Sequence, residues 1–404
     1  MEYRIDMAVS GFILVAVLII FTLGKSPIFR VDRAGAAIIG AVATVGTGVL
    51  SFEQAAAAVD YRTIIILFSM MIVVANLKIA GFFELMGNAV CQQVNSKKQL
   101  LFAIIMASGI MSALAINDII CLLFTPVVLL ICRKTHCNPL PHLLGVAMAS
   151  NIGSAATLLG NPQNILVGSL SQLSFSSYFL TASPVALLGL LLAYIAIAYC
   201  YRNELEGSYS VAPLSHANVH LYLIVKTLLV LLLVLAAYML GFDLALSASL
   251  GAALLLITRR VKPNKIYTSV DFNLLIIFIG LFIIVAGVEH SGLMNLVLNQ
   301  LLSSEITHMG LFASLTLIVS NIVSNVPAVL LLKFFIPSTN PEYWWKALAL
   351  FSTLAGNLTI TGSIANLIVV EIAKREHVHI TAKDYFKVGF PLTLLTTALG
   401  IVWL

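Results

Sequence analysis

The chain consists of long apolar segments joined by short polar connections. Twelve such segments can be distinguished, at residues 7–24, 33–50, 61–79, 99–132, 143–170, 177–200, 221–240, 243–258, 272–290, 309–337, 343–372 and 384–403. An α-helix needs about 20 apolar residues to cross roughly 30 Å of hydrocarbon. No long polar block separates the segments, so the pattern predicts an all-α polytopic membrane protein with no soluble domain.

Composition supports this prediction. The chain is 60% hydrophobic and 10% charged, whereas soluble domains carry about 25% charged residues. The first segment follows Met1–Asp6 without a basic head or a small-residue cleavage site, so we interpret it as a span and not as a removable signal peptide. The five cysteines contain no CxxC pair, and Cys132 and Cys137 are interpreted as packing and loop positions.

The two halves of the chain repeat one another. Matching residues occur in the same order in both halves, after a shift of 211 positions that short deletions later reduce. The aligned pairs include Asp32 and Asp243, Gly40 and Gly251, Asp60 and Asp271, Gly81 and Gly292, Asn117 and Asn325, Gly160 and Gly362, and Asn164 and Asn366. Such ordered self-similarity indicates a duplication. We predict repeat 1 over residues 1–200, a cytoplasmic linker over 201–220 and repeat 2 over 221–404.

Two segments, 99–132 and 309–337, have an unusual length. Each is too short for two full crossings and too long for one. Polar residues lie at their centres, Asn117-Asp118 in the first and Ser324-Asn325 in the second. We predict that both are re-entrant hairpins whose tips reach the middle of the membrane.

The distribution of basic residues tests this topology. If both hairpins return to their own side, the chain crosses ten times, and 16 of the 22 Lys and Arg residues fall on one face. Basic residues mark the cytoplasmic side, so both termini are predicted on the periplasmic side of a bacterial inner membrane. Five crossings per repeat give the two copies opposite orientations, as in the inverted repeats of secondary transporters. The net charge of +5 therefore reflects topology and gives no indication of nucleic-acid binding.

Segments 143–170 and 343–372 carry glycine, asparagine and proline where the middle of the membrane is expected. These residues break a helix and release backbone groups, which are tolerated only where protein, ions or water satisfy them. An unwound centre offers carbonyls to a cation and a half-helix N-terminus to an anion. Pro162 fits the first turn of such a half-helix because it has no N–H to leave unpaired. Close helix packing by small residues is the structural alternative.

These considerations define the candidate site. The candidate substrate-binding residues are Asn117, Asp118, Asn151, Gly153, Ser154, Thr157, Gly160, Asn161, Asn164, Ser324, Asn325, Asn357, Thr359, Thr361, Gly362, Ser363 and Asn366. Asp118 is the acidic residue predicted to lie deep in the membrane, where a carboxylate costs on the order of 3 kcal/mol or more and requires a cation, a proton or a hydrogen-bond partner. It is therefore the candidate coupling residue. The alternative is that Asn117 or Asp118 caps the second hairpin arm. The aligned residue in repeat 2 is Val326, so the two repeats are chemically unequal here.

The sequence resembles the ion transporter superfamily, which includes arsenite permeases, sodium/proton antiporters and divalent-anion/sodium symporters. The resemblance lies in Asn117-Asp118 leading to Thr125-Pro126, in residues 150–164, and in residues 320–330 and 356–366. The Asn-Asp tip and the Asn-Val-Pro-Ala-Val-Leu run of the second hairpin are most similar to the arsenite-permease branch.

This resemblance implies a scaffold that holds a mobile transport domain, commonly in a homodimer. It also implies sodium ligands at each tip and at a hydroxyl one turn earlier, which here are Ser112, Asn117, Ser320 and Asn325. The symporters carry Ser-Asn-Thr at both tips, whereas this chain has Ile-Asn-Asp at 116–118 and Ser-Asn-Val at 324–326.

We therefore predict a secondary transporter of a small anion, with an arsenite-like oxyanion or its neutral acid favoured. A proton or sodium gradient would drive it by alternating access, and bound Na⁺ is the one cofactor considered. Sodium/proton antiport and sodium-coupled dicarboxylate or sulfate uptake are the alternatives, while a channel would differ by uncoupled flux. The sequence has no GxxxxGK[ST], HExxH or GxSxG motif, so neither ATP hydrolysis nor enzymatic activity is predicted.

Overall fold

The computed structural model describes residues 2–207, 219–301 and 308–404, and within these ranges the regular elements are helices. Residues 208–218 of the predicted linker lie outside them. The first half contains α1 (Glu2–Leu23), α2 (Arg33–Gly46), α3 (Phe52–Ala58), α4 (Tyr61–Ile79), α5 (Phe82–Gln93), α6 (Lys97–Leu114), α7 (Asn117–Lys134), α8 (Pro139–Ser154), α9 (Pro162–Ser171) and α10 (Phe175–Cys200). The second half contains α11 (Leu221–Met239), α12 (Leu244–Leu256), α13 (Pro263–Tyr267), α14 (Phe272–His290), α15 (Leu293–Leu301), α16 (Met309–Val323), α17 (Asn325–Leu332), α18 (Pro341–Ala355), α19 (Ile364–Arg375) and α20 (Ala382–Trp403). Two short 3₁₀ helices cover Lys333–Phe335 and Ile360–Gly362.

The helices of the two halves follow the same order, and the aligned aspartates have the same local role. Asp32 caps α2 and Asp243 caps α12, each by accepting a hydrogen bond from a backbone N–H of the first turn. Asp60 and Asp271 cap α4 and α14 in the same way. A side-chain oxygen at this position satisfies one of the N–H groups that a helix leaves unpaired at its start.

Seven of the described helices are long and apolar enough to cross a membrane. They cover Arg4–Leu23, Tyr61–Ile79, Lys97–Leu114, Phe175–Cys200, Leu221–Met239, Phe272–His290 and Ala382–Trp403. Shorter apolar helices accompany them, among them α2, α12 and α16. The predicted all-α polytopic membrane fold is confirmed. The sequence prediction lacked the short helices α3, α5, α13 and α15, which lie in connections between the apolar segments.

Two helical hairpins lie where the sequence predicted them. Only Ala115 and Ile116 separate α6 from α7, and only Ser324 separates α16 from α17. The first hairpin is longer than predicted, because each of its 18-residue arms extends about 27 Å at 1.5 Å per residue. How deeply its tip enters a membrane stays a prediction. Both ends of a hairpin lie on one side in either case, so the predicted sides of the other segments are unaffected.

Both predicted broken helices are interrupted at the polar stretches. The first has α8 and α9 on either side of residues 155–161, and α9 begins at Pro162, as predicted. The second has α18 and α19 on either side of residues 356–363.

The helices pack into two groups. In the scaffold (α1–α4 and α11–α14), α2 packs along α14 and α4 along α12, so each contact joins the two halves of the chain. In the site domain (α6–α10 and α16–α20), α6 packs along α8, α7 contacts α19, and α9 contacts α18. The site domain holds both hairpins and both broken helices.

Candidate functional site

The two hairpin tips and the two half-helix starts meet around a small cavity. Its volume is about 20 Å³, and its lining consists of Asn117, Asp118, Pro162, Gln163, Leu274, Ser324, Asn325, Val326, Ser363 and Ile364. A space of this size accommodates one water molecule or one ion. Both repeats contribute to it, and Leu274 adds a contact from the first turn of scaffold helix α14.

Asn151 of α8 connects this cavity to the second half of the chain. Its Oδ1 accepts hydrogen bonds from Asn117 Nδ2 (3.0 Å) and Ser363 Oγ (3.0 Å). Its Nδ2 donates to Asn357 Oδ1 (2.9 Å) and Asn366 Oδ1 (3.0 Å). Asn151 is 1% exposed, and the four bonds satisfy its full capacity to donate and accept.

Thr353 of α18 has the reciprocal role. Its Oγ1 donates to Asn164 Oδ1 (3.0 Å) and accepts hydrogen bonds from Asn161 Nδ2 (3.0 Å) and Gln163 Nε2 (3.3 Å). Thr353 lies 202 positions after Asn151, the same offset that relates Asn164 to Asn366. Each broken helix therefore holds the second half-helix of the other repeat through one buried polar side chain.

Two asparagines satisfy the backbone of the broken segments. Asn164 Nδ2 donates to the carbonyl oxygens of Thr157 (2.9 Å) and Ser154 (3.3 Å). Asn366 Nδ2 donates to those of Thr359 (3.2 Å) and Gly356 (2.7 Å). Buried carbonyls released by an interrupted helix need such partners, so these amides stabilise the open backbone next to the cavity.

Each hairpin tip is attached to the broken helix of its own repeat. The backbone N–H of Asn117 donates to the carbonyl of Gly160 (2.9 Å). The amide of Asn325, oriented so that both of its atoms have partners, donates to the carbonyls of Gly362 and Ser352 (3.1 Å each) and accepts from Gln163 Nε2 (3.2 Å). The carbonyls of Gly160 and Gly362, which are equivalent positions in the two repeats, thus each accept a hydrogen bond from the hairpin tip of their own repeat.

Asp118 does not cap its own helix, so the capping alternative is wrong. The residue at the N-cap of α7 is Ile116, which makes no side-chain cap. The carboxylate of Asp118 instead lies beside the backbone N–H of Ala365, in the first turn of α19. That N–H donates to Ser363 Oγ (3.2 Å). A negative charge at a helix N-terminus is favourable because the helix dipole is positive there. Arg33 and Asp271 of the scaffold also interact electrostatically with Asp118.

In the described part of the chain, four buried oxygens of the hairpins have no hydrogen-bond partner: Ser112 Oγ, Asn117 Oδ1, Thr125 Oγ1 and Ser320 Oγ. Each of these residues is at most 2% exposed. Leaving such an atom unsatisfied costs roughly 1–3 kcal/mol, which an oxygen-coordinated cation would offset. The fourth candidate sodium ligand, Asn325, has its Oδ1 engaged by Gln163.

The remaining candidate residues lie around the cavity in supporting positions. Thr157 Oγ1 donates to the Ala113 carbonyl (2.6 Å), and Thr359 Oγ1 donates to Asn321 Oδ1 (2.9 Å). Thr361 is exposed, outside the cavity lining. Ser154 Oγ accepts a hydrogen bond from Asn161 Nδ2 (3.0 Å). Gly153 packs against the backbone of Gly109, and Gly160 packs against the backbone of Ser154, so neither position has room for a Cβ atom.

Sequence reasoning missed several residues of this network. Gln163 and Thr353 both bind polar partners across the repeats, and Arg33 interacts with Asp118 from the scaffold. The offset of 202 positions that aligns Gly160 with Gly362 also aligns Asn151 with Thr353, so the repeat contained a usable signal for Thr353. The partnership of Asp118 with Ala365 depends on three-dimensional contact alone.

Comparison with known proteins adds a family and a fold. Residues 16–355 match the family described as citrate transporter, CitMHS. The chain is similar to a transporter named arsB from Dictyostelium discoideum, at 25% identity over 92% of this chain and 87% of that protein. It is also similar to the silicon efflux transporter LSI3 of Oryza sativa subsp. japonica, at 27% identity over 93% of both chains. The crystal structure of the YdaH transporter of Alcanivorax borkumensis shares the fold, with a TM-score of 0.62 and 14% identity over 99% of this chain and 97% of that one.

Proposed function

The chain belongs to the CitMHS citrate transporter family of the ion transporter superfamily, and we propose that it is a secondary active transporter of a small oxygen-rich solute. The favoured substrate is an arsenite-like oxyanion or its neutral hydroxyl acid, moved by alternating access and coupled to Na⁺ or H⁺. We propose a bacterial inner membrane, with both termini on the periplasmic side, and a homodimeric assembly. The proposal includes no enzymatic activity.

The chemistry of the cavity lining carries this proposal. Its polar groups are the amides of Asn117, Gln163 and Asn325, the hydroxyls of Ser324 and Ser363, and the carboxylate of Asp118. No lysine or arginine is among the residues that line it. Amides and hydroxyls pair well with a neutral polyhydroxyl acid, because both partners donate and accept hydrogen bonds. A trianion such as citrate would instead lie beside a carboxylate without a lining cation, and like charges at such distances repel.

The names of two relatives support the same substrate class. One is a silicon efflux transporter and another a transporter named arsB. Silicic and arsenous acids are both small, uncharged and rich in hydroxyl groups near neutral pH. A cavity of about 20 Å³ has to enlarge before it admits either, so the described arrangement corresponds to a site closed around an ion or a water molecule.

Coupling is assigned to the first hairpin. Asp118 is a carboxylate at the tip, and the unpartnered oxygens of Ser112 and Asn117 lie on the same hairpin. Oxygen ligands of this kind, together with a carboxylate, suit Na⁺, and the carboxylate alone suits a proton. The second hairpin has Val326 at the position of Asp118 and offers only the Ser320 hydroxyl as an unpartnered acceptor. We therefore expect one strong coupling site and not two.

The electrostatic interaction of Asp118 with Arg33 and Asp271 of the scaffold suggests how access alternates. Arg33 starts α2 and Asp271 caps α14, and the predicted topology puts both helix ends on the cytoplasmic side. With the tip of the first hairpin close to them, the site domain would lie displaced toward the cytoplasm. The reverse displacement would carry Asp118 away from Arg33 and open the site to the other side.

The test is solute flux in proteoliposomes of the purified full chain. Arsenite, silicic acid and citrate are each supplied under separately imposed Na⁺ and H⁺ gradients. We expect saturable, gradient-driven movement of the hydroxyl acids. Asp118→Asn should lower the coupled flux by at least about tenfold, equivalent to ~1.4 kcal/mol of lost ion binding.

The matched control is Asp384→Asn. Asp384 is also an aspartate in the first turn of a helix, α20, and it accepts a hydrogen bond from Thr381 at the exposed end of that helix. The coupled flux of the Asp384→Asn variant should therefore stay near that of the unmodified chain. Gradient-driven citrate flux without flux of the hydroxyl acids would identify citrate as the substrate, in agreement with the name of the family. Undiminished coupling in Asp118→Asn would remove Asp118 from the mechanism, and flux that follows only the solute's own gradient would indicate a channel.

A further inference from the structure

Outside the central cavity, three side chains with metal-binding chemistry lie together at the junction of α7 and α8. They are Cys132 in the last turn of α7, Cys137 in the connection and His142 in the first turn of α8. The two Sγ atoms and a ring nitrogen of His142 all lie within 4.8 Å of one another. Cys132 and His142 are 1% exposed and Cys137 is 7% exposed. The proposed transport mechanism uses none of the three.

The local fold places these residues together. The backbone N–H of Cys137 donates to the carbonyl of Cys132 (3.1 Å), which closes a turn immediately after α7. Asn138 then caps α8 by accepting from the Leu140 N–H (3.0 Å). With this Cys-x₄-Cys-x₄-His spacing, the first turn of α8 places His142 next to the two thiols.

The hydrogen bonding of His142 suits a metal ligand. Its Nδ1 lies 3.1 Å from the carbonyl oxygen of Asn138, and the backbone of Lys97 also faces the ring. Among the residues that the structure describes, none is a hydrogen-bond partner of its buried Nε2. Histidines that bind metals through one nitrogen typically donate the other N–H to a carbonyl or carboxylate, which fixes the tautomer and the ring orientation. In this chain Asn138 would be that acceptor and Nε2 the free ligand.

We propose that Cys132, Cys137 and His142 form a binding site for one thiophilic metal ion of the Zn²⁺ class. Two thiolates and an imidazole are ligands that Zn²⁺ prefers, and three protein ligands leave its fourth tetrahedral position open. Zn–S bonds of about 2.3 Å separate tetrahedral ligand atoms by about 3.8 Å. From a separation of at most 4.8 Å, the two sulfur atoms have to approach by no more than about 1 Å to reach this distance.

The surroundings provide access and charge balance. A pocket of about 290 Å³, whose lining includes Cys132, Cys137 and His136, adjoins the cluster and provides a route for an ion and for an exogenous fourth ligand. Two thiolates neutralise a divalent ion. Arg133, which also lines the pocket, is ion-paired with Glu376. This inference does not depend on the substrate of the transporter.

The first experiment titrates the purified, chelator-treated full chain with Co²⁺ as an optical probe and then displaces it with Zn²⁺. A site of this composition should bind one ion per chain and show thiolate-to-cobalt charge-transfer absorption. Cys137→Ser and His142→Gln should each weaken Zn²⁺ binding by at least about 10–100-fold, since the loss of an outer-shell partner alone has an effect of that size. The matched control is Cys121→Ser, a buried cysteine of the same helix whose thiol donates to Ser150 Oγ (3.0 Å); it should bind like the unmodified chain.

A second measurement needs no substitution and so avoids the problem of a misfolded variant. Zn²⁺ should protect Cys132 and Cys137 of the unmodified chain from maleimide labelling, as measured by mass spectrometry of the peptide that contains both. Labelling of Cys200, which lies outside the cluster, should not change. The proposal is overturned if the stoichiometry stays well below one, if the Cys121→Ser variant loses binding as strongly as Cys137→Ser, or if saturating Zn²⁺ leaves labelling of both cysteines unchanged.

Discussion

Asn151→Asp tests whether the buried amide network holds the two halves of the site domain together. The substitution replaces one NH₂ group by an oxygen and barely changes the volume of the side chain. Oδ1 keeps its two donors, Asn117 and Ser363. The acceptors Asn357 Oδ1 and Asn366 Oδ1, 2.9 and 3.0 Å away, would instead face a second oxygen.

The expected cost follows from these two contacts. Each buried acceptor that loses its donor costs roughly 1–3 kcal/mol, so the pair costs about 2–6 kcal/mol. That is a large share of the ~5–15 kcal/mol by which a folded protein is typically stable. At low pH the new carboxyl is protonated and can donate one of the two lost bonds, so about half of the deficit should return.

Thermal unfolding in detergent, followed at neutral and at low pH, measures both effects. The matched control is Asn76→Asp, because Asn76 is also buried but donates only to the Ile72 carbonyl of its own helix (2.9 Å). The control should lose less stability at neutral pH and recover nearly all of it at low pH. If the two variants lose the same stability at both pH values, the cross-repeat bonds contribute nothing specific and the reasoning fails.

Two further substitutions test close packing and backbone strain. Gly153→Ala would place a Cβ against the backbone oxygen of Gly109, so α6 and α8 would have to separate, at a cost in stability of about 1–3 kcal/mol or more. The control Gly310→Ala, with no atom within 4 Å of the new Cβ, should instead gain up to about 1 kcal/mol of stability. Equal thermal midpoints for the two variants would contradict this packing. Ser324 has φ 74° and ψ 160° at the tip of the second hairpin, a conformation that favours glycine and costs other residues about 1–3 kcal/mol. Ser324→Gly should therefore raise the thermal midpoint, whereas Ser314→Gly within α16 should lower it, and a lowered midpoint in both variants would show that Ser324 is not strained.

The periodicity of apolar and polar residues predicted the parts of the fold that depend on local chemistry. Hydropathy located the long helices, and the polar stretches at 149–164 and 355–366 located both breaks. Pro162 begins α9 because a residue without an N–H loses nothing at that position. The amphipathic helices α5 and α15 were missed because a search for continuous apolar runs of about 20 residues passes over a 9- or 12-residue helix with one polar face.

The candidate site was predicted in its residue types but not in its connections. The asparagines stood out because polar residues in an apolar segment are costly, and most of them do lie at or beside the cavity. The partners that Asn151 has outside its own helix are 34–215 positions away in the chain, and nothing local encodes such a separation. Asp118 shows the limit most clearly. Its sequence position allowed a cap on α7 as the alternative to a coupling role, whereas in the fold it lies beside Ala365 at the start of α19.

The reciprocal bonds of Asn151 and Thr353 have a consequence for biosynthesis. Asn161 and Thr353 are separated by 192 positions, so the first repeat emerges from the ribosome long before its partner hydroxyl exists. At about 5–20 residues per second, the interval is roughly 10–40 seconds. During that time the first broken helix has only the partners of its own repeat, such as Ser154 for Asn161 (3.0 Å). The buried polar network of the site is therefore completed only when both halves of the chain are present.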